Sequence, residues 1–219
     1  TVLALLLSVP FGVGAAIYLV EYAKKGNKLV GIIRVTAETL SGIPSIIYGL
    51  FGMLFFVTAL KWGYSMMAGA ATLAIMVLPV IMRTTEEALL CVPDSFREGS
   101  FGLGAGKLRT IFKIVLPSAI PGILSGIILA IGRIVGETAA LIYTSGTVAN
   151  LAGFFDSGRT LAIHMYSLSR EGMHTNEAYA TAVVLLIVVL IINGVSSLIA
   201  KKFEAPKPVS YTHLTLPTN

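Results

Sequence analysis

The chain has 219 residues, of which 55% are hydrophobic and only 12% charged, and its mean hydropathy is +0.85; a soluble domain carries about 25% charged residues. That composition excludes an ordinary water-soluble fold and points to a membrane protein. The formal net charge of +5 follows from a one-sided placement of Lys and Arg, so it does not argue for nucleic-acid binding.

In chain order, five stretches supply the ~20 apolar residues that a helix needs to cross a hydrocarbon core: about residues 1–20, 42–60, 65–83, 118–142 and 178–200. None alternates as barrel strands do, so they read as helices of an all-α integral membrane protein. Pro10, Pro79 and Pro121 sit inside or near the starts of three of them, which membrane helices tolerate and soluble helices do not.

Lys24, Lys25, Lys28, Arg34, Arg83, Arg97, Lys107, Arg109, Lys113, Lys201 and Lys202 fall on one side of these spans, and Lys61, Arg159 and Arg170 on the other. The positive-inside bias puts 21–41, 84–117 and the end of the last span in the cytoplasm, and residue 1 outside. Glu38 reads as interfacial, ahead of a break at Ser41-Gly42-Ile43-Pro44, and Trp62 and Tyr64 as belt residues. The chain enters its first apolar helix at Thr1 without the basic region or cleavage site of a signal peptide, so a preceding element is expected. Residues 204–219, with Pro206, Pro208 and Pro217, have neither helical periodicity nor apolar length. They read as a disordered tail, or as sequence foreign to the fold.

Between the third and fourth spans lies a charged, glycine-punctuated segment, 94–117. Asp94 and Ser95 after Pro93 are candidate caps for a helix beginning near Phe96. Gly102, Gly104 and Gly106 end it, and a second helical piece over 107–115 leads to Pro117. A protruding helix-turn-helix of mixed charge is a shape that a partner groove can grip.

Glu98-Gly99-Ser100, then Gly104, then Ile114, Leu116 and Pro117 resemble the EAA loop of bacterial ABC importer permeases, whose pattern is E-A-A, three residues, G, nine residues, I, one residue, L-P. Gly99 and Ser100 stand where that family has alanines. Both are small, although Gly99 lowers helix propensity by about 1 kcal/mol relative to Ala. Three further segments narrow the resemblance: 41–52, which begins Ser41-Gly42-Ile43-Pro44; 83–89, with Arg83, Glu86 and Glu87; and 132–139, with Arg133, Gly136 and Glu137. They are similar to the permeases of the phosphate-specific importer, and the ending Lys201-Lys202 to its A-type subunit.

That resemblance implies a helical bundle of the type I ABC importer permease kind over residues 1–203, with five membrane helices present of an expected six, in the bacterial cytoplasmic membrane. It implies that 94–117 is a coupling loop seated in a cleft of a cytoplasmic ATPase subunit. The implied partners are ATPase subunits, a homologous second permease, an extracytoplasmic phosphate-binding protein and membrane lipid. The implied function is ATP-driven import of inorganic phosphate, or of another anion or solute of the same family. The chain is then a transporter subunit and not an enzyme: it has no G-x-x-x-x-G-K-[ST] loop. ATP and Mg are used by the partner ATPase, and this chain binds no cofactor.

An arginine near the middle of a membrane helix costs roughly 2.5–3.5 kcal/mol on insertion scales, so it needs a partner or a wet cavity. Arg133 lies about 22 Å along a helix starting at Ser118, and Glu137 follows at i+4 on the predicted face, which it shares with Gly122, Gly126, Ala130 and Ala140. Small residues permit close helix packing, and they also leave room for a solute. An intrahelical pair that only neutralises itself is the plain alternative, but Arg before Glu is the poorer order for such a pair. Arg133 and Glu137 are therefore assigned to the substrate pathway: a planar donor fork suits a tetrahedral oxyanion, and Glu137 keeps its binding weak enough for release. Arg83 joins them as a pathway candidate, with a snorkelling topology anchor as its alternative.

The remaining features carry less. His164, His174 and His213 show no metal-ligand spacing, so no metal site is expected. Cys91 is the single cysteine, which excludes an internal disulfide. The segment 144–177, with Arg159, Arg170 and Glu171, reads as an external loop facing solvent or a solute-binding protein. A secondary transporter is the competing class, since an Arg–Glu pair at depth suits ion coupling; a docking loop for an ATPase discriminates against it.

Overall fold

The computed structural model describes residues 1–24, 26–149, 153–172 and 174–203; the reading of 204–219 as a tail lies outside them. Among the described residues every regular element is helical: α1 (Val2–Ile17), α2 (Lys28–Ser41), α3 (Ser45–Gly52), α4 (Met66–Leu90), α5 (Asp94–Gly102), α6 (Lys107–Thr110), α7 (Leu116–Val135), α8 (Ala139–Ile142), α9 (Leu161–Glu171) and α10 (Thr175–Phe203). Wider π-helical turns extend α1 through Tyr18–Tyr22 and α3 through Met53–Ala59, and join α6 to α7 through Ile111–Val115.

Among the described residues, four helices are long and apolar enough to cross a membrane: Val2–Tyr22, Met66–Leu90, Lys107–Val135 and Thr175–Lys202. The predicted span 42–60 differs. Lys28–Ser41 and Ser45–Ala59 qualify only as a pair, bent by 101° at the break between them. Pro44 has no N–H to donate and disfavours helical geometry at Ile43, so one straight helix cannot pass. The Tyr48 hydroxyl donates to the Leu40 carbonyl at 2.7 Å, which also accepts the Ile43 N–H at 3.1 Å, so the end of α2 is tied to α3 across the break. Residues 28–41, which charge placement assigns to the cytoplasmic side, are helical and pack along α4.

α4 is the hub, since α1, α2, α3, α7 and α8 all pack on it. Burial from water does not drive helices together in lipid, so close approach through small side chains has to. α1 offers Ala4, Ser8, Gly12 and Ala16, all buried and spaced by one turn; a Cβ on Gly12 would stand 2.8 Å from Ile81 Cγ2. α7 offers Gly122 and Gly126, where a Cβ would stand 2.6 Å from Ala88 Cβ and 2.0 Å from Thr84 Oγ1, followed by fully buried Ala130. Ala140 presses on Gly49 in the same way. The stripe Gly122, Gly126, Ala130, Ala140 is therefore a helix-packing seat and not the solute space that its small residues also allow.

Nor is 118–142 a single helix. α7 stops at Val135, the Glu137 N–H turns back to the Ile134 carbonyl at 3.2 Å, and Glu137 Oε1 accepts the N–H of Ala140 at 3.1 Å. A glycine at 136 and a carboxylate that caps the next turn both compete with helix continuation. α10 is exposed along Val183, Val184, Leu186, Ile187 and Leu190, an apolar surface suited to lipid.

Two buried clusters result. One surrounds Met76, Val77 and Ile81 with Ala4, Tyr48, Ile134 and Leu141; the other joins Ala16, Ile17 and Leu19 to Leu89, Val92, Ile111 and Val115 beneath the 94–117 loop. Gly126→Val would place a branched side chain where Thr84 stands, an overpacking that costs about 1–3 kcal/mol. Detergent-stable yield in a thermal aggregation assay is expected to fall for it, and to hold for Gly132→Ala, whose Cβ meets nothing within 4 Å.

Candidate functional site

The 94–117 loop is built as a hairpin of two helical arms. Pro93 precedes the first residue of α5, and no side chain caps that end, so Asp94 and Ser95 are not the caps that the sequence suggests; Asp94 is helical and pairs with Arg97 at 3.2 Å. The turn out of α5 is closed by backbone bonds from the N–H of Leu103 to Gly99 O at 3.2 Å, Gly104 to Phe101 O at 2.9 Å and Ala105 to Ser100 O at 3.1 Å. Gly104 sits at φ +81°, the left-handed region that glycine enters without steric cost. Across the hairpin, the Ser100 and Thr110 hydroxyls share a buried hydrogen bond of 2.8 Å.

The two faces of the hairpin differ. Its underside holds Ser100, Thr110, Ile111 and Val115 buried, with Arg97 reaching Glu21 on α1. Its outer side shows Glu98 and Gly99 together with Phe96, Phe101, Leu108 and Phe112, and Leu103 at the tip is 90% exposed. An open groove beside it is lined by Ser95, Phe96, Gly99, Lys113, Ile114 and Pro117. Of the loop residues predicted from spacing, Gly99, Ser100, Ile114 and Pro117 line this groove, Glu98 is exposed, Gly104 shapes the turn, and Leu116 packs against the core beneath. An apolar tip ringed by charge is the anatomy of a protein contact.

The charged candidates form two separate groups. Arg83 pairs with Glu87 at 3.2 Å and Glu38 at 3.7 Å, and Arg34 pairs with Glu86. These side chains line a cleft of about 320 Å³ between α2 and α4. Arg83 and its partners are more than half exposed, so the pairs contribute little to stability and remain free to exchange partners.

Arg133 and Glu137 form the other group, and they are not the ion pair that i+4 spacing suggests. Glu137 stands beyond the end of α7 and holds the first turn of α8. Arg133 makes no ion pair among the described residues. A neighbouring hollow of about 500 Å³ is lined by Ile46, Thr138, Tyr143, Tyr166, Arg170 and Tyr179 and includes neither charge.

Sequence reasoning missed the partners of Arg34, Glu38 and Arg97. Arg97 counts there only as a topology charge, and its carboxylate partner stands 76 positions away. Gly104→Ala is expected to destabilise the turn by about 1–2 kcal/mol, the cost of left-handed backbone for a residue with a Cβ. Faster limited proteolysis within the loop checks this, with Gly102→Ala as the unstrained control.

Residues 8–205 match the model of the family described as binding-protein-dependent transport system inner membrane component. A probable ABC transporter permease protein of Bacillus subtilis, YqgI, is 38% identical over 93% of this chain and 76% of its own length. The phosphate transport system permease protein PstA 1 of Mycobacterium tuberculosis is 38% identical over 90% of this chain, which spans 65% of that protein. The phosphate transport system permease protein PstA of Yersinia pestis is 37% identical over 91% of this chain and 68% of its own length. Among solved structures, the inward-facing MetNI methionine ABC transporter aligns with a TM-score of 0.72 at 20% identity, over 93% of this chain and 89% of that one. A bacterial importer of the acidic polysaccharide alginate aligns at 0.66 and 15% identity, over 91% of this chain and 77% of that one. Identities this low show the shared fold.

Proposed function

We propose, because the chain belongs to the family of binding-protein-dependent transport system inner membrane components, that it is the permease subunit through which an ATP-driven importer moves inorganic phosphate across the cytoplasmic membrane. The observation that carries the solute assignment is an arginine without an ion-pair partner among the described residues, Arg133, on an apolar helix of a chain 38% identical to a named phosphate permease. A guanidinium offers paired donors to two oxygens of a tetrahedral anion and keeps its charge.

In this reading Arg133 and Glu137 line the outer part of the pathway and Arg83 the inner part. The exposed partners of Arg83, Glu38 and Glu87, compete with a passing anion and keep its stay short. The hairpin tip around Leu103 is the seat of a cytoplasmic ATPase subunit, which binds the ATP and Mg. A homologous second permease completes the pathway and an external phosphate-binding protein delivers the solute. ATP-driven closure of the ATPases displaces the hairpin and shifts the bundle between inward- and outward-open states.

Uptake of labelled phosphate by the assembled complex tests the assignment. Arg133→Gln is expected to abolish uptake at normal complex abundance, and Arg133→Lys to restore only part of it, since an ammonium keeps the charge and loses the fork. Glu137→Gln keeps a carbonyl to cap Ala140, so abundance is expected to hold while uptake changes. Phosphate uptake unaltered in both Arg133→Gln and Glu137→Gln would move the site elsewhere. For the hairpin, Leu103→Glu is expected to release the ATPase subunits on co-purification without changing membrane insertion.

A further inference from the structure

The hairpin touches the rest of the chain through one side chain more than any other. Arg97 is only 15% exposed and Glu21 only 9%. Arg97 Nε and Nη2 donate to Glu21 Oε1 at 3.1 and 2.8 Å, Nη1 to Val92 O at 2.8 Å and Asp94 Oδ1 at 3.2 Å, and Nη2 to Leu89 O at 3.0 Å. These contacts use every N–H that a guanidinium has. They reach three elements at once: the π-helical end of α1, the Leu89 carbonyl in the last turn of α4 and the first turn of α5, with the Val92 carbonyl in the link between the last two.

A second fastening lies across the Gly104 turn, where Lys107 Nζ stands 4.9 Å from the centre of the Tyr22 ring. Both arms of the hairpin are therefore tied to adjacent residues of α1. The chain itself joins the hairpin to α4 and α7. It does not join it to α1, which is separated from it by the whole of α2 to α4; side chains alone make that connection. The same guanidinium also bridges the Cys91–Pro93 link, because it binds Leu89 O before the link, Val92 O within it and Asp94 after it. A link that would bend as a free joint is stiffened by bonds on both sides, in the charge-assisted class.

We infer that Arg97 is a positioning residue that passes displacement of the hairpin to α1 and α4 as one body, through Glu21 and the Leu89 carbonyl of α4. This rests on the reading of the hairpin as the ATPase contact. α1 and α4 already pack through Ala4, Ser8, Gly12 and Ala16, so a push delivered at Glu21 moves both.

The test uses the full complex with its ATPase subunits, carrying Cys91→Ser and a reporter, Thr138→Cys, beside Glu137. Labelling of the reporter by a membrane-impermeant maleimide is compared without nucleotide and after trapping with ATP and vanadate, a readout that needs no solute. With Arg97 and Glu21 in place, trapping is expected to change the labelling rate. In Arg97→Lys, which has three donors for five, and in Glu21→Gln, which keeps the shape and loses the charge, that change is expected to shrink by about fivefold or more, the low end of ordinary coupling. Co-purified ATPase and trapped nucleotide should stay the same. A full change retained in either assembled variant overturns the proposal. Loss of the ATPase from both variants overturns it as well, since Arg97 would then only hold the docking face, and so does a reporter indifferent to nucleotide in the native pair. The docking reading fails on a different result, full ATPase retention by Leu103→Glu.

Discussion

The structure depends on close backbone approach at α4. In a hydrocarbon solvent, apolar side chains gain nothing by leaving lipid for one another, so helices associate where small residues let them touch over a long, matched surface. α1 meets this condition with a four-residue repeat of small side chains and α7 with Gly122, Gly126 and Ala130. Thr84 lies in the seat left by Gly126 and turns its hydroxyl back to the Val80 and Ile81 carbonyls, so the polar group costs nothing in hydrogen bonds. With two faces of α4 closed in this way, its remaining charged face is left for α2. Arg34, Glu38, Arg83, Glu86 and Glu87 meet there.

Close packing at α4 also sets the mechanics of the loop. A hairpin tied only to the helices that flank it would swing on Pro93 and on the turn into α6. Here its underside rests on a buried cluster that includes Ile17 and Leu19 from α1 and Val92 from the end of α4, and its polar groups are spent inward, Ser100 on Thr110 and Arg97 on Glu21. Nothing polar on the outer side is needed to hold the hairpin together. Leu103, Phe101 and Phe96 can therefore stand in the open, and the outer surface is free to meet a partner.

What was legible in the sequence follows from which forces are local. The hairpin was legible because glycine, proline and a short spacing decide it: the Gly104 turn and the helix from 107 lie where the residues place them, and the first arm begins at Asp94, two residues before the expected start. Membrane spans were legible by length and apolarity for α1, α4 and α10. The bent α2–α3 pair was missed because the partners of its charges, Glu86 for Arg34 and Arg83 for Glu38, sit on another helix. Extending helical periodicity through Gly136 put Arg133 and Glu137 on one face, where the backbone instead stops and restarts. The small stripe on α7 was seen, but small residues mean either a packing seat or a cavity. Only the position of Thr84 and Ala88 decides between them.

Arg133 stands where these irregularities meet. Irregular backbone within a membrane survives only where protein or water covers its polar groups, and two such breaks flank this residue, at 42–44 and at 136–138. Each is closed by a side chain: the Tyr48 hydroxyl donates to the Leu40 carbonyl, and Glu137 caps the N–H of Ala140. Neither group is bonded to Arg133 among the described residues. The carboxylate that an intrahelical pair would have needed is spent on holding α8. In the proposed reading the guanidinium, without an ion-pair partner among the described residues, takes the solute anion as its partner, because an unmet charge near the middle of a membrane helix costs roughly 2.5–3.5 kcal/mol. On that reading, a free guanidinium distinguishes a site that receives a negatively charged solute from an ion pair that only holds helices together.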